Sequence, residues 1–279
     1  MIAIELSKQL RRTRSWATLS ALAALAAVLT LVIGVSRARI SERVGDWGSV
    51  VTNTSGLTLP LIALSATLLF VLPLAVAIFA GEPIAAEASW GSLRYLLARP
   101  VQRWRVVCAK ATVAALYSIA AVAVVVGVSL LTGILAFGLR SLTVLDLQHT
   151  TPFVVASAKF APLSAIGRLA LASGYVIWML SSTFAFALLL STLTDRPFSA
   201  VAGGVGLGLF SRALDNIPGL HALSPWLPVT DGGSTLWTGF FTRPMHTPGL
   251  VHAVAMQAAY TGVFLTLAIV RFARSDVLS

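Results

Sequence analysis

Long apolar runs, separated by polar and basic segments, set the pattern of this chain. Crossing the hydrocarbon core of a bilayer takes about 20 mostly apolar residues in a helix. Runs that approach or exceed that length predict helical spans at about residues 16–36, 58–80, 106–137, 169–193, 199–216 and 250–270. Pro73 removes one helical hydrogen bond inside the second span and predicts a kink there. The pattern predicts an all-α, polytopic membrane protein with six transmembrane helices in one domain over residues 1–279.

The amino-acid composition is typical of a membrane protein. Hydrophobic residues make up 57% of it and charged residues 11%, against about 25% charged residues in soluble domains. The net charge of +10 would suggest nucleic acid as the partner of a soluble protein. Here the basic residues cluster beside the apolar runs, where they set topology and attract anionic lipid. We therefore expect contact with membrane lipid and none with nucleic acid.

The distribution of basic residues predicts the orientation. If the N-terminus is cytoplasmic, that side carries 12 of the 20 Lys and Arg residues. The other eight are spread over longer loops, where the positive-inside rule is weaker. Both termini are therefore predicted to be cytoplasmic. Before the first span, Ile2, Leu6 and Leu10 fall near one helical face, which predicts an interfacial helix rather than a cleaved secretory signal.

Residues 212–249 combine five prolines with several aromatic residues. Proline breaks helices, and aromatic side chains favour the membrane interface. The segment therefore predicts either short broken helices over the outer mouth or a plain aromatic belt.

Few residues offer catalytic chemistry. No lysine follows a glycine, so there is no phosphate-binding loop, and the four histidines lack metal-ligand spacing. The glycines at 203–208 fall in an apolar run and favour close helix packing, with Gly204 and Gly208 spaced as a small-xxx-small pair. The spans carry no mid-membrane acid of the kind that gradient-driven carriers use. We expect no enzyme activity, no metal and no cofactor in this chain.

The segment 81–110 is too polar to span a membrane. Pro83 suits the first turn of a helix, Glu82 and Glu87 lie toward its positive end, and Pro100 would end it. Glu87, Gly91 and Arg94 share one helical face. The pattern predicts a short amphipathic helix on the cytoplasmic side between the second and third spans.

This segment resembles the cytoplasmic loop of type-2 ABC exporter permeases. The family pattern is Glu, three residues, Gly-Thr-Leu, then Leu-Leu, Arg-Pro-Val, Arg and a later Lys. It is matched here by Glu87, Gly91, Leu93, Leu96, Leu97, Arg99, Pro100, Val101, Arg103 and Lys110, with Ser92 in place of Thr. The C-terminal residues 271–277 also resemble that family.

The resemblance implies a pair of six-helix permeases bound to two cytoplasmic ATPase subunits, which carry the ATP and Mg²⁺. The second permease is another copy or a homologous chain. The loop would supply the coupling helix that docks on the ATPase, through Glu82, Glu87, Gly91, Ser92, Arg94, Arg99, Pro100 and Arg103.

The sequence is thus interpreted as the permease subunit of an ATP-driven exporter in a plasma membrane, of the bacterial inner-membrane kind. Its cargo would be hydrophobic or amphipathic. Two alternatives stay open: a non-transporting anchor or signalling subunit of such a complex, and a gradient-driven carrier.

Overall fold

The computed structural model describes residues 2–40, 55–91, 102–144, 158–215, 217, 226–230, 236–241, 245, 247 and 249–274. The first helices are α1 (Ile2–Leu10), α2 (Thr13–Ile40), α3 (Leu59–Leu68), α4 (Val71–Ser89) and α5 (Arg103–Phe137). A hairpin of β1 (Leu142–Val144) and β2 (Ala158–Phe160) follows. The remaining helices are α6 (Pro162–Met179), α7 (Ser181–Leu193), α8 (Pro197–Asp215), a 3-10 helix at Leu236–Phe241, and α9 (Leu250–Arg274).

The chain is an α-helical, multi-pass membrane protein. Within the described residues, five helical stretches are long and apolar enough to cross a bilayer: Thr13–Ile33, Val71–Ser89, Arg103–Phe137, Pro162–Leu193 and Leu250–Arg274. The predicted fifth span corresponds to α8, a helix of 19 residues. It is not among the five, because its glycines and Arg212 lower its hydropathy. Six spans remain a prediction.

The predicted second span is not one kinked helix but two helices. α3 ends at Leu68 and α4 begins at Val71. Because Pro73 has no N–H, the carbonyl of Leu69 loses its usual helical donor. The guanidinium of Arg212, on α8, donates to that carbonyl at 2.7 Å. The break therefore exposes a carbonyl that anchors a distant helix.

The predicted start of the amphipathic helix at Pro83 is wrong, and residues 92–100, over which that helix would continue, lie outside the described residues. Pro83 lies inside α4, so Glu82 and Glu87 belong to the last turns of a membrane-spanning helix. They lie toward its negative end, not the positive end of a new helix. The N–H of Ala85 donates to the hydroxyl of Ser191 at 3.0 Å. Packing against a neighbouring helix thus supplies bonds around an internal proline, as is common in membrane helices.

Helices α4, α7 and α8 pack closely at the centre of the bundle. A Cβ at Gly204 would lie 2.7 Å from the Cβ of Ala187 and 3.1 Å from the Cβ of Ala77. A Cβ at Gly208 would meet no atom of the described chain within 4 Å. Gly204 is therefore the position where three helices approach, and Gly208 does not share that role.

The segment after α8 includes the 3-10 helix, which packs against α6. Trp237 and Phe241 are buried there, and Arg168 of α6 donates to the carbonyl of Phe240. These aromatic side chains belong to the core. Of the two interpretations for residues 212–249, this geometry favours short broken helices over an aromatic belt.

Candidate functional site

Four charged side chains form a buried cluster where α1, α4 and α5 meet. Glu5 and Lys8 come from α1, Glu87 from α4 and Lys110 from α5. The side chains of Lys110 and Glu87 are 2% and 3% exposed, and those of Glu5 and Lys8 are 13% and 43% exposed. We call these four residues the charge cluster.

Lys110 is the centre of the charge cluster. Its ammonium nitrogen lies 2.8 Å from Oε2 of Glu87. It donates hydrogen bonds to Oε1 of Glu5 at 3.1 Å and to the carbonyl of Pro83 at 3.2 Å. Lys8 donates to the other carboxylate oxygen of Glu87. Lys110 thus lies within 3.2 Å of three oxygen atoms, two of which accept hydrogen bonds from it, while the third, Oε2 of Glu87, forms an ion pair with it. The two lysines and two glutamates give the cluster no net formal charge.

Helical spacing brings these groups together. Pro83 and Glu87 are four residues apart in α4, so the Pro83 carbonyl and the Glu87 side chain lie on one face, toward α5. Glu5 and Lys8 are three residues apart and share one face of α1. α1 lies across the start of α5 and covers the pair. A buried charge is costly unless it is paired and hydrogen-bonded, and here each charge has that pairing.

The geometry changes the interpretation of Glu87. The sequence predicted a carboxylate offered to a partner, but its side chain is covered by other parts of its own chain. Glu82 is 22% exposed and lies 3.7 Å from the guanidinium of Arg14. Glu87 therefore fixes helices to one another and is not a surface contact in this structure.

The other predicted loop residues lie at or beyond the ends of the helices. Gly91 follows α4 with φ of +68°, a conformation that glycine adopts at little cost. A Cβ there would meet nothing within 4 Å, so the backbone conformation, not close packing, explains the glycine. Arg103 is the first residue of α5. Ser92, Arg94, Arg99 and Pro100 fall outside the described residues.

Sequence reasoning missed Glu5 and Lys8 as members of this site. They were treated as ordinary residues of an interfacial helix, although an acid and a base three residues apart on one face can be a pairing signal. Lys110 carried its own signal, because it lies in the largely apolar start of a long span. A lysine in that setting predicts a nearby carboxylate.

The charge cluster holds helices together. No group of three His, Cys, Asp or Glu residues in the described ranges could hold a metal ion. Every member binds another helix, so the cluster ties α1, the end of α4 and the start of α5 into one unit.

Apart from the charge cluster, a mostly apolar cavity lies beside the break between α3 and α4. Its lining includes Leu69, Pro73, Leu180, Thr183 and Arg212. The second helix interruption, at Leu180 between α6 and α7, faces the same space. At the edge of the cavity, the guanidinium of Arg212 donates a hydrogen bond to the carbonyl of Leu69. The cavity therefore lies where two helices are interrupted, and Arg212 at its edge has a structural role.

Residues 18–211 match a family described as "Protein of unknown function (DUF2705)". The match covers well over half of the chain and contains Glu87 and Lys110, but it begins after α1. A search of curated proteins finds no match.

Proposed function

The chain belongs to the DUF2705 family of proteins of unknown function, and we propose that it is the permease subunit of an ATP-driven exporter. A separate ATPase would bind ATP and Mg²⁺. A second permease, either another copy or a homologue, would complete the path for a hydrophobic or amphipathic substrate. The proposal places the complex in a bacterial plasma membrane.

One observation carries the proposal. Glu87 and Lys110 are the first and last residues of the stretch that resembles the exporter loop, and their side chains meet at 2.8 Å. The pair ties together the two ends of the segment that would dock on an ATPase. If both ends of the docking segment are held on the spanning helices, a movement of the bound ATPase can be passed to those helices. This is what a transporter without its own nucleotide site requires.

The charge cluster also bears on the choice between an ATP-driven and a gradient-driven protein. A proton-coupled carrier needs an acid that gains and loses a proton during transport. The Glu87 carboxylate is instead held in ion pairs with Lys8 and Lys110. A structural role in a coupled complex fits that environment better than a proton-transfer role.

The test is purification of the tagged chain from its native membrane, identification of the bound ATPase, and reconstitution of the complex in vesicles. Substrate movement should stop when ATP is depleted and continue when an uncoupler removes the ion gradient. The reverse result would identify a carrier. ATP turnover without movement of any tested hydrophobic or amphipathic compound would identify an anchor or signalling subunit.

The purified chain alone should neither bind nor hydrolyse ATP, since it has no phosphate-binding loop. Saturable nucleotide binding by a preparation free of other proteins would contradict the assignment of ATP to a partner.

The orientation has its own test. After replacement of Cys108, single cysteines at positions 92 and 235 should react from opposite sides with a thiol reagent that cannot cross the membrane. Labelling of both positions from outside would overturn the proposed cytoplasmic N-terminus.

A further inference from the structure

Basic and aromatic side chains surround the corner between α1 and α2. The corner itself supplies Arg11, Arg12, Arg14 and Trp16. Trp90 follows the end of α4, and Trp104 and Arg105 lie in the first turn of α5. We call this set the corner patch; its residues are Arg11, Arg12, Arg14, Trp16, Trp90, Trp104 and Arg105.

Contacts join the corner to the end of α4 and hold the corner itself, whereas the contact of Arg105 with Trp104 lies within α5. The guanidinium of Arg12 lies 5.9 Å from the ring centre of Trp90, which joins the corner to the end of α4. The indole N–H of Trp16 donates to the carbonyl of Leu10 at 2.8 Å and closes the corner. The guanidinium of Arg105 lies 5.4 Å from the ring centre of Trp104.

The three indoles are not core residues. Trp16, Trp90 and Trp104 are each about half exposed or more. Tryptophan is enriched at the level of the lipid headgroups, where its apolar ring and polar N–H are both accommodated. The exposed Ile2 and Ile4 of α1 add apolar surface at the same end of the protein.

One arginine of the corner patch, Arg14, lies 3.7 Å from a carboxylate, that of Glu82. Glu5 and Glu87 are covered and bound within the charge cluster. No carboxylate in the described ranges lies within 4 Å of Arg11, Arg12 or Arg105. Glu5 and Glu87 are bound within the neutral charge cluster and are therefore separated from the surface arginines. The corner patch on the surface thus keeps a positive charge.

We infer that the corner patch is a binding site for the anionic headgroups of phospholipids in the surrounding membrane. The arginines match the headgroup charge, and the indoles and isoleucines match the boundary between headgroup and acyl chain. A free phosphate ion would use only the first of these features, so the lipid is the better fit. The inference requires a membrane-embedded chain and does not depend on the proposed exporter activity.

The test uses the full chain in vesicles of zwitterionic and anionic phospholipid, in which one lipid at a time is brominated. Bromine quenches tryptophan fluorescence at close range, so the two series give the relative affinity for each headgroup. The wild-type chain should prefer the anionic lipid. The double variant R11Q/R12Q should reduce that preference by about fivefold for each arginine. R11K/R12K should restore most of it, because the charge is kept.

The matched control is R271Q/R274Q, which removes two exposed arginines at the end of α9. The change that it causes in the logarithm of the anionic-to-zwitterionic affinity ratio should be less than half of the change caused by R11Q/R12Q. An equal loss in both variants would indicate general surface attraction and refute a site. Displacement of the lipid by inorganic phosphate at matched ionic strength would identify a free-anion site and would also refute the inference. No preference in the wild-type chain would refute it directly.

Discussion

Replacing Lys110 with methionine removes the central charge of the charge cluster while keeping a side chain of similar length. Two carboxylates, those of Glu5 and Glu87, would then share the single ammonium of Lys8. At the observed 2.8 Å between Lys110 and Glu87, the Coulomb attraction is about 6 kcal/mol at an effective dielectric constant near 20. Desolvation of both ions offsets part of it. Breaking a buried pair by removing one partner typically costs about 3–5 kcal/mol, and we expect K110M to lose that much stability.

The measurement is a double-mutant cycle with K110M, E87Q and the combined variant. Unfolding of each is followed in mixed micelles of increasing denaturing detergent. Both single variants leave an uncompensated charge, negative in K110M and positive in E87Q. The combined variant leaves only Glu5 and Lys8, which are again neutral together. It should therefore be more stable than the sum of the single losses implies, with a coupling energy of about 2–5 kcal/mol.

Lys159→Met serves as the control for loss of a lysine charge. Lys159 is exposed on β2, and its replacement should change stability by less than about 0.5 kcal/mol. If K110M and E87Q are additive within about 0.5 kcal/mol, the two side chains do not interact and the coupling inferred from the structure is wrong.

Two further predictions concern the helix break and the central packing. Arg212→Met should cost about 1–3 kcal/mol, because the Leu69 carbonyl loses its donor. The loss should be smaller in a Pro73→Ala background, where a backbone N–H returns, and an equal loss in both backgrounds would contradict the role of Arg212. Gly204→Ala should cost about 1–3 kcal/mol by overpacking, because its Cβ would lie 2.7 Å from the Cβ of Ala187. Gly208→Ala, the matched change in open space, should cost less than about 0.5 kcal/mol, and equal effects of the two glycine variants in the same unfolding assay would contradict the packing argument.

Run length predicted most helices with good bounds. The first span was predicted at 16–36 and is part of Thr13–Ile40, the third at 106–137 and is Arg103–Phe137, and the last at 250–270 and is Leu250–Arg274. In each case an uninterrupted apolar run leaves the backbone no alternative to helical hydrogen bonding in lipid. Two predicted ends, 137 and 250, coincide with the observed ones, and the other four fell short because the helices continue into the interface with polar and basic residues.

The second span was harder because its outcome depends on a distant residue. Pro73 signalled a disturbance, but a kink and a complete break differ in how the freed carbonyl finds a donor. That donor is Arg212, which is 143 residues from the Leu69 carbonyl and was treated as a loop residue. A periodicity argument considers only neighbours in sequence and does not contain this information.

The environment of Glu87 was mispredicted for a related reason. Polar residues at the end of a span are normally solvated, and the segment after it did resemble an exposed loop. Burial instead follows from α1, which lies over α5 and brings Glu5 and Lys8 to the pair. Because one of its two lysine partners, Lys8, comes from α1, outside the loop motif, the motif alone could not predict how Glu87 is buried.

The two buried bases also refine the argument for orientation. Lys110 and Arg212 were both counted as topogenic charges, one on each side, although the fold binds both of them internally. Leaving them out gives 11 basic residues on the proposed cytoplasmic side against 7 on the other, so the predicted orientation is the same.

The remaining asymmetry in basic residues depends strongly on Arg11, Arg12 and Arg14, which also belong to the corner patch. Since the same charges would attract anionic lipid and hold the N-terminus on the cytoplasmic side, R11Q/R12Q should weaken the orientation preference as well as lipid binding. Cysteine labelling of that variant, compared with R271Q/R274Q, would show whether one surface serves both purposes.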